Sequence, residues 1–152
     1  MEKFVLNGGI PLRGEVSISG AKNAVVAILP ATILAQDICT IENIPNISDV
    51  YYMTKILEQL GAQIKRLSKS TLEIDTRGVN SYVVSHDMTK HLRASYYFIG
   101  ALLGRFHRAK VAMPGGCNFG VRPIDRHIKG FELLGSTVTI GCLLYTSDAA
   151  DE

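Results

Sequence analysis

The sequence has no long hydrophobic run, and that absence argues against a membrane-spanning protein. The longest apolar run, residues 24–35, contains Pro30 and Thr32. It is too short to cross a bilayer as a helix. It also follows a polar, strand-like start, which does not fit a signal peptide. We therefore expect no membrane partner.

Cysteine and net charge are also scarce. Cys39, Cys117 and Cys142 have neither a metal-ligand spacing nor a paired framework, so we predict no metal site and a reducing, cytoplasmic location. We also predict that the protein uses no cofactor. The net charge of +2 is too small for a nucleic-acid reader, although it permits a local cationic pocket for small anions. The hydrophobic fraction of 47% and the charged fraction of 20% indicate a globular chain.

The pattern of apolar residues alternates between strands and helices and predicts an α/β fold. Helix 24–35 is expected to be buried on nearly all sides and to be kinked or restarted by Pro30. Ser48 or Asp49 is expected to cap the second helix and Gly61 to end it. The predicted strands are 3–6, 15–19, 39–42, 63–67, 71–75, 110–113 and 136–140, and the predicted helices are 24–35, 48–60, 87–103 and 123–134, the third ended by Gly104.

The order helix, strand, loop, helix, Leu-Gly-small, strand occurs twice, which indicates an internal repeat. Lys22 and Arg93 start the first helices, and Gly61 and Gly135 follow the second helices, at nearly the same offset along the chain. The counterpart of strand 71–75 should begin near residue 145, where no alternation is found. We therefore predict that residues 141–152 are a foreign tail on a truncated chain; the alternative is a natural frayed C-terminus.

Residues 114–125 form a glycine-rich loop that enters the helix at Pro123, a residue suited to the first helical turn. Cys117, Arg122 and Asp125 supply a thiol, a guanidinium and a carboxylate within this loop. Glycines allow the backbone to approach a ligand, and the start of a helix favours anions. A Gly-Gly turn with a Cys117 that only packs is the alternative. Because Arg122 and Asp125 lie at the helix start, we predict an anion-binding, chemically active site instead.

Four motifs carry a resemblance that covers residues 1–140: Gly20-Ala21-Lys22-Asn23, Leu92-Arg93-Ala94-Ser95, Pro114-Gly115-Gly116-Cys117 and Gly120-Val121-Arg122-Pro123-Ile124-Asp125. In this order and spacing they resemble the enolpyruvyl transferases that act on UDP-N-acetylglucosamine. The resemblance implies transfer of the enolpyruvyl group of phosphoenolpyruvate to the 3′-hydroxyl of that sugar nucleotide. This reaction is the first committed step of bacterial peptidoglycan synthesis, and hence serves cell-wall growth and division.

The same resemblance implies the architecture. Family members have two domains, each an inside-out α/β barrel of three repeats. The two repeats of this chain would form an incomplete catalytic domain over residues 22–140. Residues 1–21 would contribute strands to the other domain.

Site residues follow from the matching motif positions. Lys22 and Asn23 resemble contacts of phosphoenolpyruvate, Lys22 with a catalytic role, and Arg93 resembles an anion-binding arginine. Cys117 resembles the general acid that protonates the methylene carbon of phosphoenolpyruvate and the thiol that fosfomycin alkylates. The residues that resemble the uridine nucleotide site are Arg122, Pro123, Ile124, Asp125 and Arg126, the last at a position where many relatives carry an uncharged residue. Fixed cations suit this chemistry because two anionic substrates must share one site.

Other readings of these residues and of the chain stay open. Lys22 can be a solvated surface charge, Arg93 a surface partner of Asp87, and Asp125 a residue favoured by the helix dipole; His91 and His127 are assigned no role. A 5-enolpyruvylshikimate-3-phosphate synthase is disfavoured by the loop cysteine. A non-catalytic nucleotide-binding module fits a fragment, since the resemblance puts further catalytic residues beyond residue 140. A third reading is a dinucleotide-binding fold, which is disfavoured because no Gly-x-Gly-x-x-Gly follows a strand.

Overall fold

The computed structural model describes residues 3–89, 92–112, 124–140 and 144–149. In chain order the elements are α1 (Lys22–Ala35), β1 (Ile38–Ile41), α2 (Ser48–Leu60), β2 (Gln63–Arg66), β3 (Leu72–Asp75), β4 (Val83–Val84), α3 (His86–Thr89), a 3₁₀ turn (Arg93–Tyr96), α4 (Tyr97–Phe106), β5 (Arg108–Ala112), α5 (Asp125–Leu133), β6 (Ser136–Ile140) and β7 (Leu144–Ala149). The predicted α/β character is confirmed. Within these residues no helix is both long and apolar enough to cross a membrane.

Two sheets of matching topology confirm the internal repeat. In the first sheet β3 lies between β1 and β2, and in the second β7 lies between β5 and β6, with every one of these pairs antiparallel. β4 adds a parallel partner on the outer side of β5. The three antiparallel strands of each sheet therefore come from one copy of the repeat, and the last of the three along the chain is the central one.

The prediction that the second copy lacks its closing strand is wrong. Leu144–Ala149 forms β7, with Asp148 opposite Arg108 of β5 and Thr137 of β6. A strand between two neighbours is held by backbone hydrogen bonds on both edges, so it does not require an alternating sequence. The assignment of residues 141–152 to a tail of foreign origin stays a prediction.

The core lies between the helices α1, α2 and α4 and the inner faces of the strands. Leu29, Met53, Phe98 and Leu102 are fully buried in it. α1 packs on α2 and α4. A Cβ at Gly104 would lie 2.8 Å from Cδ2 of Leu34, so α4 and α1 approach closely at this glycine.

α1 differs in two ways from the sequence prediction. It runs without a break through Pro30, and it is not buried on nearly all sides, because Ile28 and Leu34 are 44% and 48% exposed. A helix between two neighbouring helices buries the faces that touch them and leaves the remaining face open. This open apolar face lies on the first copy of the repeat.

The predicted helix 87–103 is also divided. α3 ends at Thr89, Leu92 is extended and 2% exposed, and the 3₁₀ turn then leads into α4. The buried side chain of Leu92 fits the helical pattern of apolar residues even though its backbone is extended. The periodicity of the sequence therefore does not reveal the interruption. α4 continues past Gly104 to Phe106, and His107 in a left-handed conformation ends it.

The N-terminal residues do not form the strands predicted at 3–6 and 15–19. They have no regular structure, and the side chains of Phe4, Leu12 and Ile18 are 96%, 96% and 89% exposed. A strand requires a neighbour for its backbone hydrogen bonds, and in the described part of the chain none lies beside this segment. Its assignment to another domain stays a prediction.

Arg105 connects the two copies. Its guanidinium belongs to α4 in the second copy and donates hydrogen bonds to three carbonyl oxygens of the first copy. The acceptors are Ile33 at 3.1 Å, Thr76 at 2.8 Å and Val79 at 2.9 Å. One planar cation thus satisfies three backbone acceptors at the junction.

Candidate functional site

The starts of α1 and α2 meet at an ion pair between Lys22 and Asp49. Lys22 is the first residue of α1, and Asp49 lies in the first turn of α2. Nζ of Lys22 is 2.9 Å from Oδ2 of Asp49, and the two side chains are 59% and 19% exposed. The positive ends of two helix dipoles and one ammonium group therefore lie next to one another at the surface.

Gly20 fits this site because the backbone of another segment touches it. An ideal Cβ at Gly20 would overlap the carbonyl oxygen of Asn43 and would lie 3.4 Å from Cδ of Pro45. Asn43 itself has a φ of 54°, in the left-handed region. The segment before Lys22 thus rests directly on the loop that leads into α2. Any side chain at position 20 would separate the two.

Neither helix start is capped by a side chain within the described residues. The N-cap residues are Ala21 for α1 and Ile47 for α2, and neither makes a side-chain cap hydrogen bond. The predicted cap by Ser48 or Asp49 is therefore wrong; the carboxylate of Asp49 binds Lys22 instead. Gly61, with a φ of 108°, ends α2 as predicted. Asn23, the second residue of α1, is exposed beside the pair.

In the second copy, three of the residues predicted to hold the nucleotide, Ile124, Asp125 and Arg126, lie at the start of α5. Asp125 and Arg126 are exposed in its first turn, and the half-buried Ile124 precedes it. Ile124 lines a cavity of about 110 Å³ between α4 and α5. The ring centroids of Tyr96 and His127, which also line it, are 5.2 Å apart.

The rest of the predicted site can be placed only in part. Arg93 opens the 3₁₀ turn that leads into α4, at the position in the second copy that Lys22 has in the first. Cys117, Arg122 and Pro123 lie outside the described residues. The structure therefore places Lys22 and Asn23 together at one helix start and Ile124, Asp125 and Arg126 together at another.

The sequence prediction gives two residues near these positions no part in catalysis or substrate binding. Asp49 was considered only as a cap, because nothing in the sequence indicates that the second helix begins beside Lys22. The sequence assigns no role to His127, yet it lines the cavity beside Ile124. Its place in the same helix as Asp125 was the available signal.

Comparison with known proteins finds relatives that share one name. The UDP-N-acetylglucosamine 1-carboxyvinyltransferase of Clostridium botulinum is 55% identical over 151 residues, covering 97% of this chain and 36% of the relative. A protein of the same name from Streptococcus pneumoniae is 53% identical over 139 residues, covering 91% of this chain and 33% of the relative. The chain thus spans about a third of the length of these relatives.

A solved structure shows the fold. The enolpyruvyl transferase NikO from Streptomyces tendae superimposes with a TM-score of 0.75 at 23% identity, over 93% of this chain and 31% of that one. The expected enolpyruvyl transferase fold is confirmed at this level. Residues 6–143 also match a family of sequences described as EPSP synthase (3-phosphoshikimate 1-carboxyvinyltransferase). This match covers most of the chain, which therefore belongs to the EPSP synthase (3-phosphoshikimate 1-carboxyvinyltransferase) family.

Proposed function

We propose that the protein to which this chain belongs transfers the enolpyruvyl group of phosphoenolpyruvate to the 3′-hydroxyl of UDP-N-acetylglucosamine. The observation that carries the proposal is the identity of 51–55% to relatives named for that acceptor, over more than nine-tenths of the chain. The exposed Lys22 beside two uncapped helix starts supports it, because that surface suits a phosphate or carboxylate.

The residues divide the chemistry between them. Lys22, Asn23 and Arg93 bind the phosphate and carboxylate groups of phosphoenolpyruvate and offset their charge. The Cys117 thiol donates a proton to the methylene carbon, while the 3′-hydroxyl oxygen of the sugar bonds to the neighbouring carbon. Loss of phosphate, with return of one methyl proton to the Cys117 thiolate, then gives the enol ether. The hydroxyl proton leaves to a base that another part of the whole protein supplies.

The nucleotide half of the substrate occupies the start of α5. Asp125 and Arg126 offer a carboxylate and a guanidinium to polar groups of the nucleotide, and Ile124 offers an apolar side chain. Arg122 and Pro123 belong to the same sequence motif and complete the proposed nucleotide-binding residues. We propose that the reaction belongs to peptidoglycan synthesis and takes place in the cytoplasm; a sequence with only three cysteines and no spacing typical of a disulfide framework fits that location.

A second candidate is transfer to shikimate 3-phosphate. The name of the matching family favours it, since that name specifies 3-phosphoshikimate. The relatives from Clostridium botulinum and Streptococcus pneumoniae are instead named for the sugar nucleotide, and the loop cysteine fits that acceptor better. The two candidates share the donor and differ in the acceptor.

Phosphate release distinguishes the candidates. The chain is joined to the C-terminal part of the Clostridium botulinum relative, giving a completed chain, and is assayed with phosphoenolpyruvate and each acceptor. We expect release with UDP-N-acetylglucosamine, none with shikimate 3-phosphate, and loss of release in Cys117→Ser. Cys39→Ser is the matched thiol control and should remain active. Release with shikimate 3-phosphate alone would overturn the proposal.

A further inference from the structure

We propose that Asp49 is a positioning residue, which holds the ammonium group of Lys22 where phosphoenolpyruvate binds. The inference rests on the proposed function, in which Lys22 contacts that substrate. The carboxylate takes one of the three donors of the ammonium group and fixes its direction. The other two donors are left for the substrate.

Asp49 is the better-fixed partner of the pair. It lies on α2 beside Val50, which is 3% exposed, and one turn before the fully buried Met53. Its own side chain is 19% exposed, whereas that of Lys22 is 59% exposed. A lysine ammonium on a flexible four-carbon stem gains a defined position when it binds such a fixed group.

Repeat symmetry argues that the pair is not needed for the architecture. Arg93 is the counterpart of Lys22 in the second copy, so both copies begin their first helix with a cation. At the offset that relates Gly61 to Gly135, the counterpart of Asp49 is Pro123, which has no charge. The matching position of the second copy in the sequence thus carries no carboxylate.

The negative charge of Asp49 determines which kinetic constant the inference predicts to change. A carboxylate beside an anion-binding lysine repels the substrate and lowers its affinity. For Asp49 to favour the reaction, the ordered position of Lys22 must outweigh that repulsion. The inference therefore predicts that its main effect is on turnover and not on affinity.

The test is made in the completed chain used for phosphate release. Asp49→Asn should lower kcat by about tenfold, since small misplacements of catalytic groups have effects up to about a hundredfold. KM for UDP-N-acetylglucosamine should stay within about twofold, because this acceptor does not depend on Lys22. Asp49→Glu should restore part of kcat. The matched control is Glu58→Gln, which breaks the 2.7 Å pair with Lys55 on the same helix and should leave kcat unchanged.

A double-mutant cycle with Lys22→Gln separates positioning from helix stability. If Asp49 acts through Lys22, Asp49→Asn causes no further loss of kcat in the Lys22→Gln background. A further tenfold loss there, or full kcat in Asp49→Asn alone, would overturn the inference.

A second readout does not depend on catalysis. In the chain as it stands, the side-chain ammonium resonance of Lys22 should shift in Asp49→Asn and not in Glu58→Gln. An unchanged resonance overturns the inference whatever the acceptor proves to be. A completed chain without any phosphate release, but with the shifted resonance, overturns the proposed function and supports the pairing.

Discussion

Arg105→Ala should weaken the junction between the two repeats. Its guanidinium donates to the carbonyls of Ile33, Thr76 and Val79, whose residues are 0%, 0% and 4% exposed. A hydrogen bond to a charged group contributes about 1.5–3 kcal/mol, and a carbonyl left without a partner costs about 1–3 kcal/mol. Arg105 is partly exposed, so water can replace part of these bonds. We therefore expect a loss of about 2–4 kcal/mol, a large share of the about 5–15 kcal/mol typical of a domain.

Urea unfolding of the chain, followed by far-UV circular dichroism, measures this loss. With a slope of about 2 kcal/mol per molar urea, the midpoint should fall by about 1–2 M. Arg105→Lys should recover less than half of the loss, because an ammonium group is a point charge that cannot reach three acceptors in one plane. Arg66→Ala is the control, since exposed Arg66 donates to one carbonyl, that of Lys69, within a hairpin.

Two results would refute this reasoning. An Arg105→Ala midpoint equal to that of the unaltered chain would mean that water satisfies the three carbonyls as well as the guanidinium does. An Arg105→Lys chain as stable as the unaltered one would mean that the charge matters and the planar geometry does not. The Arg66→Ala midpoint should change by less than the equivalent of about 0.5 kcal/mol.

Three further predictions concern other parts of the structure. Arg77 donates to both carboxylate oxygens of Asp75 and lowers the pKa of Asp75 to about 2. Because this folded-state pKa is below the unfolded value, the stabilisation by the pair is present above about pH 4 and is lost as the pH falls toward 2. An NMR titration of Arg77→Ala should show the pKa of Asp75 returning toward 3.8. Gly20→Ala should destabilise the chain by about 1–3 kcal/mol, because its Cβ overlaps the carbonyl of Asn43, and an unchanged Tm would contradict the close contact. The chain alone should release no phosphate and should self-associate through the exposed apolar side chains of residues 3–19; light scattering that finds a monomer at every concentration, or turnover, would contradict this.

The sequence predicts best where a local pattern is repeated or where a single residue has a local task. The hairpin of β2 and β3, the end of α2 at Gly61 and the strand β6 all follow from spacing and turn residues near them in the chain. The internal repeat is equally visible, because two copies of one pattern at a fixed offset do not depend on any contact. The family motifs follow in the same way from residues read in order.

The wrong predictions share one physical cause: the conformation of these segments depends on contacts with residues that are distant in the chain. The closing strand β7 is held by two neighbours and not by its own alternation. The segment before α1 has strand-like sequence but no strand beside it among the described residues. Helix 87–103 is broken at the buried, extended Leu92, which periodicity does not reveal.

The sequence by itself determined the α/β pattern, the two repeats and the motif residues that assign the chain to its family. Only the tertiary structure decided that the starts of α1 and α2 meet, so that Asp49 binds Lys22 although a whole helix and a strand separate them in the chain. It likewise decided that Arg105 joins the copies through three carbonyls. Secondary structure depends on residues that are close in the chain, so helices and strands show a characteristic spacing of apolar residues in the sequence. An ion pair or a guanidinium contact between distant segments depends on how helices and strands pack, and no regular spacing of residues in the sequence indicates such a contact.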